Sequence, residues 1–424
     1  MEQLVLGLFL FFFALEWIVE SALNEINLRH ARRRRADRTI PDFVASKVTD
    51  GDYQRSFEYT LAKGRFERWA ELYGRILTLT VLFSGLLPLL DRLSIEMASR
   101  LGLPSPGHGI LFCLCVGLIF SLASLPLDAY ATFGIEGRFG FNRTTVTLYI
   151  KDKLKAFALG IVLGVPFLLG LLWLIDARTP NWWIWAFLFI MGFQLLMIVI
   201  YPTMIAPLFN RFEPLQQGEL RERILALARQ VGFETRGIFS MDGSTRSAHS
   251  NAYFTGLGKA KRIVLFDTLI EQMTTDQCLA VLAHEIGHYK LKHIRRMLAV
   301  EAVFLLAGLY ALGWMLDFPP LFRAFGFEQP SNHVALVLFT LIAGPFTFYV
   351  RPLLNLLSRR HEYEADRFAV ETLRDPKSME EALVNLTVKN LSNLAPHPWY
   401  SAYHYSHPSP AERIAAVRAC AAAA

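Results

Sequence analysis

Residues 281–293 read VLAHEIGHYKLKH and contain the sequence His284-Glu285-Ile286-Gly287-His288. A helix is predicted to carry it, because Thr274-x-x-Gln277 has the form of a capping box. Leu279, Val281, Leu282, Ile286 and Leu291 then continue an apolar face. On that helix His284 and His288 are four apart, so both imidazoles leave one face and can grip one ion. Glu285 follows the first histidine, where it can reach a metal-bound water and act as general base. The bare motif arises by chance in roughly one chain of this length in a hundred. The helical context and the small neighbours Ala283 and Gly287, which leave room around the site, favour zinc over chance.

A catalytic zinc usually holds three protein ligands and keeps one position for water. In the class whose third ligand is a histidine, the pattern continues to a glycine at 291 and a histidine at 294. Leu291 and Ile294 stand there, so that class is excluded. His293 is off register, and Glu301 lies within an apolar span on the same continuous helix, too far along it to bend back. The better source is residues 358–373, SRRHEYEADRFAVETL. There Glu362 and Asp366 are four apart and share a helix face, while Glu364 points elsewhere. One carboxylate can bind zinc and the other can hold the free nitrogen of a ligand histidine. The spacing leaves open which does which.

The chain around this motif is built for a bilayer. Its 424 residues are 53% hydrophobic and 19% charged, against about half and a quarter in soluble domains. The excess collects in seven runs of spanning length, at residues 4–23, 72–90, 110–130, 157–175, 182–201, 297–316 and 334–354. The second and third are interrupted by Pro88 and Pro126. The first is read as a retained anchor, because it carries Glu16 and Glu20 and its basic cluster follows it. Arg29, Arg32, Arg33, Arg34, Arg35 and Arg38 place that following side in the cytoplasm. Alternation then leaves Arg92, Arg100, Arg178 and Arg323 in the outside loops, with the N-terminus outside and the C-terminus inside. The formal charge of +6 follows from this asymmetry and implies no nucleic-acid partner. Cys113, Cys115, Cys278 and Cys420 form no CxxC pair, so neither a disulfide frame nor a cysteine zinc site is expected.

The organisation follows. Residues 1–202 form an N-terminal membrane region with five spans, and 203–296 a first cytoplasmic part that carries the HEIGH helix. Residues 297–354 form the last two spans, and 355–424 a second cytoplasmic part. Neither cytoplasmic part is a confident enzyme core alone, but together they reach an ordinary domain size. In the first part 219–231 reads as a helix, and Gly237–Met241 and 261–266 as strands. Between them HSNAYFTGLG, 249–258, reads as an exposed strand closed by a Gly-rich turn.

These residues resemble a family, the type I integral-membrane CAAX prenyl proteases, zinc metalloproteases of the gluzincin kind. The resemblance rests on PLDAYATFGIEGRFGFNRTT at 126–145, YPTMIAPLFNRFEPL at 201–215 and SNAYFTGLGKAKRIVLFDTL at 250–269. It continues through HEIGH at 284–288, EYEAD at 362–366 and YSAYHYSHPSPAERI at 400–414. It implies a mainly α, polytopic membrane protein. Seven transmembrane helices enclose a chamber, and a gluzincin-type domain of a small sheet plus helices lies on the cytoplasmic side. It implies that Glu362 is the third ligand beside His284 and His288, with Asp366 its outer partner. Asn251, Ala252 and Tyr253 match the edge strand that holds extended substrate. His407 matches a histidine near the metal opposite the catalytic glutamate, and Arg413 an arginine of the same block, grouped here with the substrate-binding residues.

The chain is therefore expected to be a membrane-embedded zinc endopeptidase holding one Zn²⁺. Glu285 is the base, and His407 helps to stabilise the oxyanion. Its partners are a peptide or protein substrate, lipidated or not, and the lipid bilayer. Its Arg- and Ala-rich style points to a bacterial inner membrane, or to the endoplasmic reticulum if the source is eukaryotic. Two alternatives stand beside this reading. A non-catalytic membrane chaperone or carrier with structural zinc would have no need of Glu285. A heat-shock-type membrane metalloprotease would lack the GIEGRFGFN and YHYSHP blocks.

Overall fold

The computed structural model describes residues 1–38, 40–45, 47–256 and 261–422. The membrane part begins with helices α1 (Glu2–Asp37), α2 (Asp50–Phe83), α3 (Leu86–Arg100) and α4 (Gly107–Ala129). It continues through α5 (Val146–Asp176), α6 (Trp182–Ile200) and the short α7 (Ala206–Phe209). Strand β1 (Phe212–Pro214), helix α8 (Glu219–Gln230) and strands β2 (Gly237–Met241), β3 (Ala252–Thr255) and β4 (Arg262–Phe266) follow. Next come α9 (Asp267–Gln272), α10 (Thr275–Lys290), α11 (His293–Leu316), α12 (Pro319–Ala324), α13 (Asn332–Ile342) and α14 (Gly344–Thr347). The chain closes with α15 (Arg351–Leu373), α16 (Pro376–Lys389), α17 (Pro398–His404) and α18 (Pro410–Ala422).

Among the described residues five helices are long and apolar enough to span a membrane, and two bent pairs bring the count to seven. The breaks differ from those expected at the prolines. The second span turns by 60° between α2 and α3, at Ser84-Gly85, where Gly85 has φ 78°. Pro88 sits at the third position of α3, among the first-turn N–H groups that lack helical acceptors in any case. Pro126 does not break the third span. The helix runs through it and widens into a π turn at Tyr130–Glu136, extending the span to Glu136. The seventh span, expected to be continuous, bends by 44° between α13 and the helices that follow.

The strands form one sheet of order β1-β2-β4-β3, with β2 and β4 parallel and β3 antiparallel to β4 on the edge. The sequence anticipated β2 and β4 but not the three-residue β1. Leu257 and Gly258, part of the expected Gly-rich turn, lie outside the described residues.

The sheet's apolar face, α8, α10, α16 and α18 enclose a core that includes Ile224, Ile263, Leu265, Leu282, Leu383 and Ile414. The same cluster takes in Leu28 and Ala31 of α1 and Tyr53, Phe57 and Leu61 of α2. The protease part is thus welded across residue 202 to the ends of the first two membrane helices. A separate apolar cluster, including Phe112, Leu172 and Phe322, joins the membrane helices at the far end.

Candidate metal centre

Helix α10 starts as its sequence requires. Thr274 Oγ1 accepts from the Gln277 N–H, and the Gln277 side chain accepts from the Thr274 N–H. Its buried face carries Leu279, Ala280, Leu282, Ala283 and Ile286 into the sheet core, which fixes the rotation of the helix. His284 and His288 then emerge together toward α15. Gly287 brings the two helices close: a Cβ there would lie 3.2 Å from Ala365 Cα. The small residues at the motif therefore give room chiefly to the α15 backbone.

The close crossing carries Glu362 between the histidines. Its Oε2 lies 3.5 Å from His284 Nε2, its Oε1 3.3 Å from His288 Nε2, and the two Nε2 atoms are 3.1 Å apart. These three side chains form the only group of metal-ligating residues of this kind among the described residues. Their surroundings fit a cation. Nδ1 of His284 donates to Asp366 Oδ1 at 2.7 Å, which leaves its Nε2 as the ring atom that faces the cluster and could bind a metal. The buried Oε2 of Glu362 receives no hydrogen bond. Lone pairs converging at this separation repel unless a proton or a metal ion lies among them. Two nitrogens about 2.0–2.1 Å from a tetrahedral ion lie about 3.4 Å apart. The choice between the two carboxylates, open in the sequence, falls geometrically on Glu362 at the cluster and Asp366 behind His284.

Asp366 also accepts from Arg413, Nε to Oδ2 at 2.8 Å and Nη2 to Oδ1 at 2.5 Å. Arg413 Nη1 lies 3.4 Å from Glu362 Oε2. Arg413, grouped with the substrate-binding residues from the sequence, thus has its guanidinium committed to the carboxylates behind the metal cluster, although it also borders the cavity.

A cavity of about 290 Å³ opens on this cluster, bordered by Asn251, Ala252, Glu285 and His407 and by an apolar wall that includes Leu383 and Leu386. Glu285 is half-buried, and burial pushes its carboxyl pKa above the ordinary range. His407 is exposed toward the cavity. Its Nε2 lies 3.3 Å from Glu362 Oε1, and Ser406 Oγ is 2.9 Å from its Nδ1. The edge strand runs along the same cavity. Phe266 N–H donates to Asn251 O, which turns the backbone groups of the next residue, Ala252, away from β4. Asn251 Oδ1 accepts from the Ala252 N–H at 2.8 Å. Tyr253 turns its ring away from the cluster, edge-on to Phe266.

Two larger cavities, of about 620 and 530 Å³, continue from this one. The first shares Asn251, Leu383, Leu386, His407 and Arg413 with the metal cavity. The second shares Asn390, Ser392, Asn393 and Tyr405 with the first, and reaches Tyr59 and Glu67 on α2.

Three groups near the site were not assigned there from the sequence. His293 does not join the cluster, but its Nδ1 lies 3.0 Å from His288 Nδ1. Glu364 points away from Glu362, yet it reaches His293 Nε2 at 3.0 Å. The expectation of one continuous helix through His288 and Glu301 fails, because α10 ends at Lys290 and α11 starts at His293. In the second large cavity His249 stacks on Phe141 at 4.0 Å between Glu136 and Asn390; Phe141 and Glu136 belong to the GIEGRFGFN block, whose role the sequence left unstated. The signal available for these was histidine or glutamate beside a motif, a weak one without the fold.

Membrane helices, an edge-strand sheet and a His-His-Glu cluster with an adjacent glutamate define a multi-pass membrane metallopeptidase. Residues 29–211 match the CAAX prenyl protease N-terminal family, described as five membrane helices, and residues 214–421 match peptidase family M48. The chain belongs to the CAAX prenyl protease 1 family within M48. It is similar to the CAAX prenyl protease 1 homolog of Arabidopsis thaliana, 40% identical over 387 residues, covering 89% of this chain and 90% of that one. It is similar also to the CAAX prenyl protease 1 of Saccharomyces cerevisiae, 36% identical over 405 residues, covering 89% and 88%. The crystal structure of S. mikatae Ste24p aligns with a TM-score of 0.89 at 32% identity, covering 96% of this chain and 97% of that one.

Proposed function

We propose that this protein is a zinc-dependent endopeptidase that cuts CAAX-type and other membrane-associated peptides in its chamber. The observation that carries the reading is the convergence of His284, His288 and Glu362 beside Glu285 at the foot of an open strand edge. His284, His288 and Glu362 would hold one Zn²⁺. That ion supplies Lewis-acid polarisation of the scissile carbonyl and a more acidic water. Glu285 takes a proton from the attacking water on its carboxylate and delivers it to the leaving amine. Burial favours the protonated state that Glu285 must occupy between those two transfers. His407 faces the same cavity from the opposite loop and donates a hydrogen bond to the developing oxyanion. Ala252 offers its outward backbone groups to an extended peptide, which aligns the bond without reading much sequence. Arg413 supports the cluster through Asp366 and Glu362, and from the cavity wall it remains within the proposed substrate-binding group.

The domain division keeps two cytoplasmic protease parts, 203–296 and 355–424, closing on each other beneath the spans. The basic cluster after the first span supports a cytoplasmic site. A bacterial inner membrane is the proposed location, with the endoplasmic reticulum as the eukaryotic equivalent. The bordering apolar wall and the family relationship favour substrates that arrive from the bilayer, lipidated or not.

The test is a pair of variants assayed for zinc content and for cleavage of a farnesylated CAAX peptide and its unmodified counterpart. Glu285→Gln should keep zinc and lose at least about 10²-fold in kcat, the scale of general acid–base catalysis. Glu362→Ala should lose zinc and activity together. Wild-type turnover by Glu285→Gln would overturn the assignment of the base, and equal cleavage of both peptides would remove the lipid from the specificity.

A further inference from the structure

Helix α10 and helix α11 are separated by two residues, and the turn between them is unusual. Lys292 has φ 62° and ψ 28°, a left-handed conformation that costs a residue with a side chain. The turn folds the chain sharply enough that His293, the first residue of α11, comes back onto His288. On an uninterrupted helix residues five apart diverge by about 140° and do not meet. The strained turn is the observed price of that contact, and such strain gathers where function needs it.

His293 is 2% exposed, and both of its ring nitrogens are engaged. Nε2 faces Glu364 Oε2, an acceptor only, so the proton of that nitrogen is fixed on the His293 side. A neutral His293 then presents a bare Nδ1, 3.0 Å from His288 Nδ1. His288 must put its own proton in that gap, and its Nε2 is left as a lone pair aimed at Glu362 and His284. His361 stacks on the His293 ring at 4.1 Å and 10°, which holds the ring plane. Glu364 is kept in place by Arg360 Nε at 3.1 Å and Arg296 Nη1 at 3.3 Å.

We infer that Glu364 and His293 form a positioning relay for His288, the counterpart on this ligand of Asp366 on His284. Glu364 orients His293, and His293 sets the tautomer and ring direction of His288. The relay also ties one ligand of the metal cluster to the first turn of the membrane-length helix α11. The inference rests on the proposed ligand set, and it assigns His293 and Glu364 no contact with substrate.

The test uses full-length protein in detergent, with zinc affinity measured by chelator competition, kcat and KM on the peptide substrate, and the unfolding midpoint of the zinc-free protein. His293→Leu should weaken zinc by about 10–100-fold, the usual scale for outer partners of ligand histidines. At saturating zinc it should lower kcat and leave KM near its wild-type value. His293→Gln keeps an acceptor for the His288 proton and should recover most of the affinity. Glu364→Leu should show the same losses in smaller degree, and it serves as the test if His293→Leu does not fold. Wild-type zinc affinity in both leucine variants overturns the relay, as does equal loss in His293→Leu and His293→Gln. A fall in zinc-free stability with unchanged zinc affinity also overturns it, since packing alone would explain that result. Glu362→Ala separates the two levels: retention of zinc there removes the ligand set itself, whereas loss there with no effect at 293 and 364 removes only the relay.

Discussion

Asp366 holds two partners at once, Nδ1 of His284 and the guanidinium of Arg413. Both are largely buried, so the carboxylate does two jobs that one substitution removes together. Asp366→Ala should weaken zinc by about 10–100-fold through His284. It should also destabilise the fold by about 3–5 kcal/mol, because Arg413 is left charged, buried and without its bidentate partner. Chelator competition and chemical denaturation of the zinc-free protein measure the two effects separately. An Asp366→Ala protein with weakened zinc but wild-type stability would show that Arg413 finds another partner, with Glu362 the nearest candidate.

At the scale of elements, the strand β3 matters through its backbone. It pairs with β4 on one side and runs along the metal cavity on the other. Replacing Ala252 with proline removes an outward donor that Asn251 Oδ1 holds in the resting strand. A peptide adding to this edge would take over that donor. Ala252→Pro should raise KM or abolish cleavage with zinc content unchanged, while Tyr253→Phe, whose ring packs on Phe266, should alter turnover little. Cleavage at the wild-type rate by Ala252→Pro would move substrate recognition to another wall of the cavity. An open edge of this kind is an aggregation hazard, and its position along an internal cavity protects it.

For the whole molecule, the consequential feature is the core that crosses from the protease part into the membrane part. Phe57 of α2 is fully buried in the cluster that also contains Ile263, Leu282 and Ile414. Phe57→Ala should therefore cost about 3–5 kcal/mol, as for other large-to-small core changes. The loss should appear in the protease part as much as in the helices. Unfolding followed by zinc release and by tryptophan fluorescence should shift to lower temperature together. Two separated transitions would mean that the parts are independent units that merely touch.

The seven apolar runs, the capping box at Thr274 and the helical spacing of His284 and His288 were legible because each depends on residues within a turn or two of one another. Composition sets the membrane runs, and a period of 3.6 sets the shared helix face. The pair Glu362 and Asp366 was legible as a pair for the same reason. Which of them faces the metal was not, since that depends on how α15 crosses α10 at Gly287, some 75 residues away in sequence. The break at Lys292 was hidden likewise. A lysine carries no local signal for a left-handed turn, and only the packing of α11 against its neighbours makes that conformation worth its strain. The 60° turn at Gly85 did carry a local signal, since glycine adopts a positive φ without strain, whereas the intact helix through Pro126 ran against the local preference of proline. Sequence alone thus determined the candidate zinc motif and the membrane character, because both are written in short-range patterns. Tertiary structure alone decided how His284, His288 and Glu362 converge, which groups His293 and Arg413 contact, and the shared core, because these join segments that are distant along the chain.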